Sequence, residues 1–415
     1  MADPDALPTM ISVETAREVI SNAATAMSAE DIGLDHCTGR VLADAVYANH
    51  TQPPFSVAAM DGYAVRFTDM DEGASLRVIG EAPAGTPFGG VVERGQAVRI
   101  FTGAPVPTGT DHILIQEEAI RDGDTITVTH SQVGPRHIRP SGLDFSQGEC
   151  LAEAGSLLNA FHGAIFAAGN VARLSVVRRP RVMIFTNGDE LVPPGTSALT
   201  PGQIIDANPY GLSPLISAWG GAPTHLGCAP DRLDDLRAIF ETAGSGKSDG
   251  GADIIVPVGG ASVGDHDYMK AAFAAAGGER LFSKVAVKPG KPTWFGRIKG
   301  ARGPALVLGL PGNPASALVT AHLFLRPLIR GMLNSMQTDD DLPGIVTTPI
   351  AANGRRETFL RARAAPGPSG WHVTPAANQD SALLLPFARC NALVRRYPDA
   401  AAAAAGASIR FELLR

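Results

Sequence analysis

The sequence predicts a multidomain chain with an α/β centre and β-rich parts around it. Three observations carry that reading. Between residue 181 and about residue 333, apolar runs of strand length alternate with helix-like stretches, the order of a three-layer domain with a mostly parallel sheet. Two of those strands end in tight turns that lead toward helices: 253–258 runs into Gly259-Gly-Ala-Ser-Val-Gly264, and 305–310 into Pro311-Gly-Asn-Pro314. Outside this region, 76–128 and 344–415 carry short alternating runs broken by glycine and proline, the pattern of small β domains.

A chain of 415 residues calls for more than one domain, and a hydrophobic content of 45% is ample for several cores. A net charge of −6 gives no bulk attraction to nucleic acid, so none is expected as a partner. No run of eighteen apolar residues occurs, so no membrane span is expected. The N-terminus carries acids and no basic segment, unlike a secretory signal. Cys37, Cys150, Cys228 and Cys390 show no metal spacing and read as reduced thiols of a cytoplasmic protein.

In order, 12–27 reads as a helix capped by Ser12, with Val13, Ala16, Ile20, Ala23 and Ala24 on one face. Residues 39–47 form a short element, and 51–65 a loop that turns into a strand. After the β-rich stretch come a polar loop at 139–148 and a helix at 159–169. The α/β region opens with a strand at 181–186 and the turn Asn187-Gly-Asp-Glu-Leu191. A helix to Trp219, a strand at 222–229 and a helix at 233–243 precede the two strand–turn units. The last helix runs to about Leu333, followed by an acidic linker at 337–343. The alanine run at 400–405 reads as a loop or short turn.

Open sheets bind ligands beyond the carboxyl ends of their strands, and here those ends carry glycines, acids and lysines. Gly259, Gly260 and Gly264 allow positive φ and close approach of a ligand. Asn313 suits an N-cap and Pro314 the first helical position, which would offer an anion the free N–H groups of a helix start. Lys284, Lys288 and Lys291 add full charges, and Lys284 and Lys288 would face one side of an alternating strand. Asp265 and Asp267 could hold Mg²⁺. The combination points to a phosphorylated ligand bound with a metal. Plain structural readings stand beside these: Asp61 as a turn residue, Asp189 and Glu190 as helix caps, Lys291 as a surface charge.

Six motifs then occur in one order: Pro54-Phe with Met60-Asp-Gly-Tyr-Ala64, Thr102-Gly-Ala-Pro-Val-Pro with Gly109, Gly188-Asp-Glu-Leu191, Gly259-Gly-Ala-Ser-Val-Gly264, Lys288-Pro-Gly-Lys-Pro292 and Leu310-Pro-Gly-Asn-Pro314. With them the chain resembles the molybdopterin molybdenumtransferases, the MoeA and gephyrin E-domain family, from about residue 10 to the end. The resemblance implies an elongated homodimer of four parts. Residues 1–48 and 139–177 would form a discontinuous N-terminal and dimerisation domain, and 49–138 an inserted β-rich domain. Residues 178–332 would be the molybdopterin-binding α/β domain and 333–415 a C-terminal β-barrel-like domain.

The implied activity is insertion of molybdenum from molybdate into adenylated molybdopterin, with Mg²⁺ and release of AMP. Transient contact with molybdopterin adenylyltransferase and with apo molybdoenzymes is implied as well. By motif, the resemblance marks Asp61, Thr102, Glu190, Asp267, Lys284 and Lys288 as catalytic, and Asp267, Glu190 and Asp231 as metal ligands. It marks Asp144, Asp231, Gly259, Gly260, Ser262, Gly264, Pro311, Gly312, Asn313, Pro314, Arg361 and Ser381 as substrate-binding. Two positions depart from the family pattern: Ala58 stands where serine is common, and Asn187 where Ser-Thr-Gly-Asp-Glu is usual. The alternatives are a molybdopterin adenylyltransferase and a scaffold of the gephyrin E-domain type. The full-length match disfavours the first, and the lack of an attached extra domain or long linker the second.

Overall fold

The computed structural model describes residues 10–130, 133–245, 251–260, 268–301, 303–336 and 341–414. At its centre is a six-stranded sheet in the order Ala222–Ala229, Arg181–Asn187, Ile254–Val258, Ala305–Gly309, Trp294–Ile298, Glu279–Phe282. The first four strands are parallel, and Trp294–Ile298 alone of the six runs antiparallel to its neighbours. Strand Arg181–Asn187 shows why the layer forms. Val182 and Ile184 enter one apolar core while Met183 and Phe185 enter the core on the opposite face. A strand buried on both faces needs a continuous apolar run, and this segment supplies one. Phe185 packs edge-on against Phe240 of helix Leu233–Ser245, and burying each ring contributes about 2–3 kcal/mol.

The first helix, Val13–Ala23, is shorter than its sequence pattern suggests. Ser12 caps it through an acceptor bond from the Thr15 N–H, but at Ala24 the backbone turns extended. The Met27 N–H then donates to the Met332 carbonyl (2.8 Å), which draws the chain onto the α/β domain. The apolar face of this helix looks from sequence to want a partner outside a compact domain. In the structure Val13, Ala16 and Ile20 are buried in the same core as Leu328, Ile329 and Met332 of this chain.

Strand Ala29–Gly33 pairs antiparallel with Arg173–Val177, and Val46–Tyr47 with Cys150–Ala152, so the chain returns to its N-terminal part after residue 139. Between them lies a six-stranded sheet containing Gly62–Val65 and Gln96–Ile100. The C-terminal part closes on itself: Glu357–Gly367, Gly370–Pro375, Asp341–Val346, Ser408–Leu413 and Ala392–Arg396 pair in turn, and the last returns to the first. Among the described residues every strand of this barrel is paired on both sides, and Val287–Lys288 joins Glu357–Gly367 in parallel as an addition.

That short strand corrects the expected placement of two lysines. Residues 284–288 do not form one alternating strand. The Lys284 carbonyl accepts from the Ile11 N–H (3.1 Å) and the Ala286 N–H donates to the Ile11 carbonyl (2.7 Å), whereas Lys288 registers with Thr358 of the barrel. The pairing partner changes between the two lysines, so they do not share a strand face.

Candidate active site

The site residues fall into two groups, each placed by its sheet. In the inserted part, Gly62 pairs with Ile100 across antiparallel strands, which brings the preceding Asp61 beside the loop after Ile100. There the Thr102 N–H and hydroxyl both donate to Asp61 Oδ1, at 2.7 and 2.8 Å. The Thr102 amide and hydroxyl hold its carboxyl below the usual carboxylate range, and the charge of Arg99 adds to this. Arg99 is itself fixed over the rings of Tyr63 and Phe101, and donates to the Gly62 carbonyl and Gln116 Oε1. Asp144 lies nearby in a cleft of about 420 Å³ shared with Gly103, Arg139, Phe55 and Leu143. The Asp144 N–H donates to the Gln52 carbonyl and its side chain is exposed.

The second group surrounds the carboxyl ends of the central strands. Gly188 (φ +148°) leaves room for Glu190, whose carboxylate would meet a Cβ there at 2.6 Å. Glu190 is exposed. Asp231 accepts a short bond from Asn187 Nδ2, and its own N–H donates to Asp189 Oδ1 (3.3 Å). Asn187 thus anchors Asp231 rather than merely replacing another polar residue. Gly259 and Gly260 both have positive φ, and a Cβ on Gly259 would lie 2.8 Å from the Asn187 carbonyl oxygen. Ser262, Gly264, Asp265 and Asp267 lie outside the described residues.

Sequence reasoning missed Asp206 and Asn208. Thr186 Oγ1 donates to Asp206 Oδ2 (2.5 Å), and Asn208 Nδ2 donates to the Gly312 carbonyl (2.8 Å). The signal was present as two polar residues, two apart, between the segment 202–205 and a helix, but nothing local shows that they reach the strand ends. Asp206 and Asp231 accept from Thr186 and Asn187, neighbours at one strand end, and burial raises the nearby Cys228 thiol, with a Thr186 hydrogen bond opposing it and the charges of Asp206, Glu190 and Asp231 adding to it. Among the described residues no three acid, histidine or cysteine side chains are grouped to hold a metal.

The turn Pro311–Pro314 starts the helix Pro314–Thr320, as its residues suggest, but the expected cap is used differently. Asn313 makes no side-chain cap; its Nδ2 donates to Ser381 Oγ (3.0 Å). The Ala315 N–H donates to the Ser381 carbonyl (3.0 Å), so that helix-start amide is already taken. Arg361 is buried behind this contact. It donates to the carbonyls of Leu383 (2.7 Å) and Asp380 (2.9 Å), and holds the loop that carries Ser381. Beside that loop lies a cleft of about 600 Å³ lined by Lys288, Lys291, Arg356, Ser316, Thr358 and Ser381. Lys284 is half-buried and does not line it. Among the described residues no hydrogen bond or ion pair joins Asp61, Thr102 or Asp144 to the strand-end group.

Comparison with known proteins matches the chain along most of its length. The family models for the MoeA N-terminal region (domain I and II), a probable molybdopterin binding domain and the MoeA C-terminal region (domain IV) match residues 11–169, 183–331 and 343–414. The molybdopterin molybdenumtransferase of a Nostoc species is 35% identical over 338 residues, 80% of this chain and 76% of that one. The Haemophilus influenzae enzyme of the same name is 35% identical over 309 residues, 74% of each chain. A crystal structure of a molybdopterin biosynthesis MoeA protein from Pyrococcus horikoshii superposes with a TM-score of 0.80 at 28% identity, covering 98% of this chain and 99% of that one. Motifs, fold and these likenesses agree: the chain belongs to the molybdopterin molybdenumtransferase (MoeA) family.

Proposed function

We propose that the protein inserts molybdenum from molybdate into adenylated molybdopterin, releasing AMP, as an enzyme of molybdenum cofactor biosynthesis. The observation that carries this is the basic cleft of Lys288, Lys291 and Arg356 set beside acid-lined strand ends. A ligand with anionic groups and a polar heterocycle finds complementary chemistry in the two neighbouring regions. Molybdate and phosphate oxygens suit the lysines and the Arg356 guanidinium, which hold anions by charge-assisted hydrogen bonds. Ser381 and Asn313, tied to each other, stand where the two regions meet.

Mg²⁺ is part of this reading. Such ions take one or two carboxylates with water and phosphate oxygens, and Glu190 and Asp231 supply that set; Asp267 is a third candidate by motif. When bound, the ion would neutralise charge on the adenylate phosphate. Asp61, ionised and held by Thr102, presents a fixed negative charge from the other group.

Residues 1–48 with 139–177, the insert 49–138, the α/β part 178–332 and the barrel 333–415 are the working division, supported by the pairing of strands 29–33 and 173–177. A homodimer is part of the proposal as well. Its supports are the lack of bonds between the two site groups among the described residues, and the exposed Phe161 and Tyr47 of the N-terminal part. Among the described residues no helix is long and apolar enough to cross a membrane, and we place the reaction in the cytoplasm.

Purified protein given adenylated molybdopterin, Mg²⁺ and molybdate should release AMP and yield a cofactor that activates an apo molybdoenzyme. Formation of the adenylate from ATP and free molybdopterin would make it an adenylyltransferase instead. For assembly, Asp61→Ala and Lys288→Ala chains should each be inactive and regain part of the activity when mixed and exchanged, because a mixed dimer keeps one complete site. No recovery after demonstrated exchange places both residues in one chain's site.

A further inference from the structure

Three side-chain oxygens at the strand ends are buried and have no hydrogen-bond partner among the described residues: Asn187 Oδ1, Asp206 Oδ1 and Asn208 Oδ1. The residues themselves are 4%, 6% and 9% exposed. They lie on one closed circuit of contacts. Thr186 bonds Asp206, Asn208 bonds Gly312, a Cβ on Gly312 would touch the Gly259 Cα at 3.5 Å, and one on Gly259 would lie 2.9 Å from Asn187 Oδ1. In each amide the nitrogen has a hydrogen bond to the protein, Asn187 to Asp231 and Asn208 to Gly312, while the oxygen has none among the described residues. Asp206 likewise uses one oxygen on Thr186 and keeps the other. An unmet buried acceptor is costly, and three together are rare without a function.

We propose that Asn187, Asp206 and Asn208 form a subsite that reads the N–H edge of a heterocycle, and that the heterocycle is the pterin of the substrate. This deepens the function proposed above and rests on it. The edge of a pterin that carries its 2-amino group and N3–H presents two adjacent donors, so a pocket rich in unmet acceptors is its complement. The Asp206 carboxylate repels an anion that no cation accompanies, which assigns molybdate to the Lys288 and Lys291 cleft and leaves the adenylate phosphate to the Mg²⁺ proposed at Glu190 and Asp231. A cation fits these three groups less well, since two of them are neutral amides. Recognition then has polarity: the ring is read by Asn187, Asp206 and Asn208, and molybdate in the cleft.

The test is calorimetric titration of wild type and Asp206→Asn with adenylated molybdopterin and, separately, with AMP, each with and without Mg²⁺. Thr186 donates to one oxygen in the variant as before, so the new NH₂ takes the free position and meets the pterin donors head-on. Affinity for adenylated molybdopterin should fall about tenfold, the size of one polar contact, with AMP affinity and melting temperature unchanged. Asn208→Ala, which withdraws the acceptor without adding a donor, should give a loss in the same ligand alone. Unchanged pterin affinity in both variants overturns the subsite, as does an equal fall for AMP. A loss that appears only with Mg²⁺ makes the group a cation site and overturns the pterin assignment. Failure of the wild type to bind adenylated molybdopterin overturns the proposed function and the subsite with it.

Discussion

Asp61 takes two donors from a single residue, and that economy makes Thr102 the place to test it. Thr102→Val keeps the backbone donor and the side-chain shape while removing the hydroxyl. The Asp61 carboxyl lies below its ordinary range because the Thr102 amide and hydroxyl favour its charged form. Losing one of them moves it up, so the acid limb of the pH–activity profile should shift to higher pH. Turnover near neutral pH should fall about tenfold, the worth of one charge-assisted hydrogen bond. The contact is exposed, so the melting temperature should hardly move. An acid limb that stays in place means Asp61 does not titrate in the rate-limiting step. Arg361 is buried, and its bonds to the carbonyls of Asp380 and Leu383 hold the loop that carries Ser381, beside the substrate contact its motif marks it for.

At the scale of elements, strand, tight turn and helix are where the sequence is most legible, because the turns need residues that nothing else tolerates. Gly259 has φ +111° and a Cβ there would lie 2.8 Å from the Asn187 carbonyl oxygen. Gly259→Ala should therefore cost about 1–3 kcal/mol of stability and reduce activity together, since the displaced Asn187 holds Asp231. Chemical denaturation and turnover of the variant check both parts; full activity with lowered stability would detach the turn from the site. The strands were readable for a related reason, their apolar runs being required on both faces of the sheet. What local pattern did not give were contacts made at long range. Asp206 and Asn208 meet the strand ends only after the chain folds back. Lys284 and Lys288 look alike in sequence, but one pairs beside Ile11 and the other beside Thr358. The Asn313 cap failed for the same reason, because Ser381 of another domain competes for its side chain.

Across the whole molecule, one buried carboxylate ties three parts together. Glu412 lies on the last barrel strand, 2% exposed. Its Oε1 accepts from Arg17 of the first helix (3.1 Å) and its Oε2 lies 3.2 Å from His322 Nε2 in the α/β domain. Burial alone would raise its pKa, but the His322 hydrogen bond and the charge of Arg17 outweigh that and bring it from 4.5 down to about 2. A carboxyl depressed on folding contributes stability above its unfolded value and loses it as pH falls through the folded one. The junction should therefore be fully supported above about pH 4.5 and weaken progressively toward about pH 2. The shift corresponds to roughly 3 kcal/mol near neutral pH. Glu412→Gln should lose about that much in chemical denaturation near neutral pH, and the gap to wild type should narrow as both are measured at steps from pH 4.5 downward. The loss should also loosen the barrel against Arg17 and His322, seen as faster amide exchange along Ser408–Leu413 and in the Val13–Ala23 helix. A gap that stays constant down the acid series would mean that packing of the side chain, and not its charge, joins the three parts.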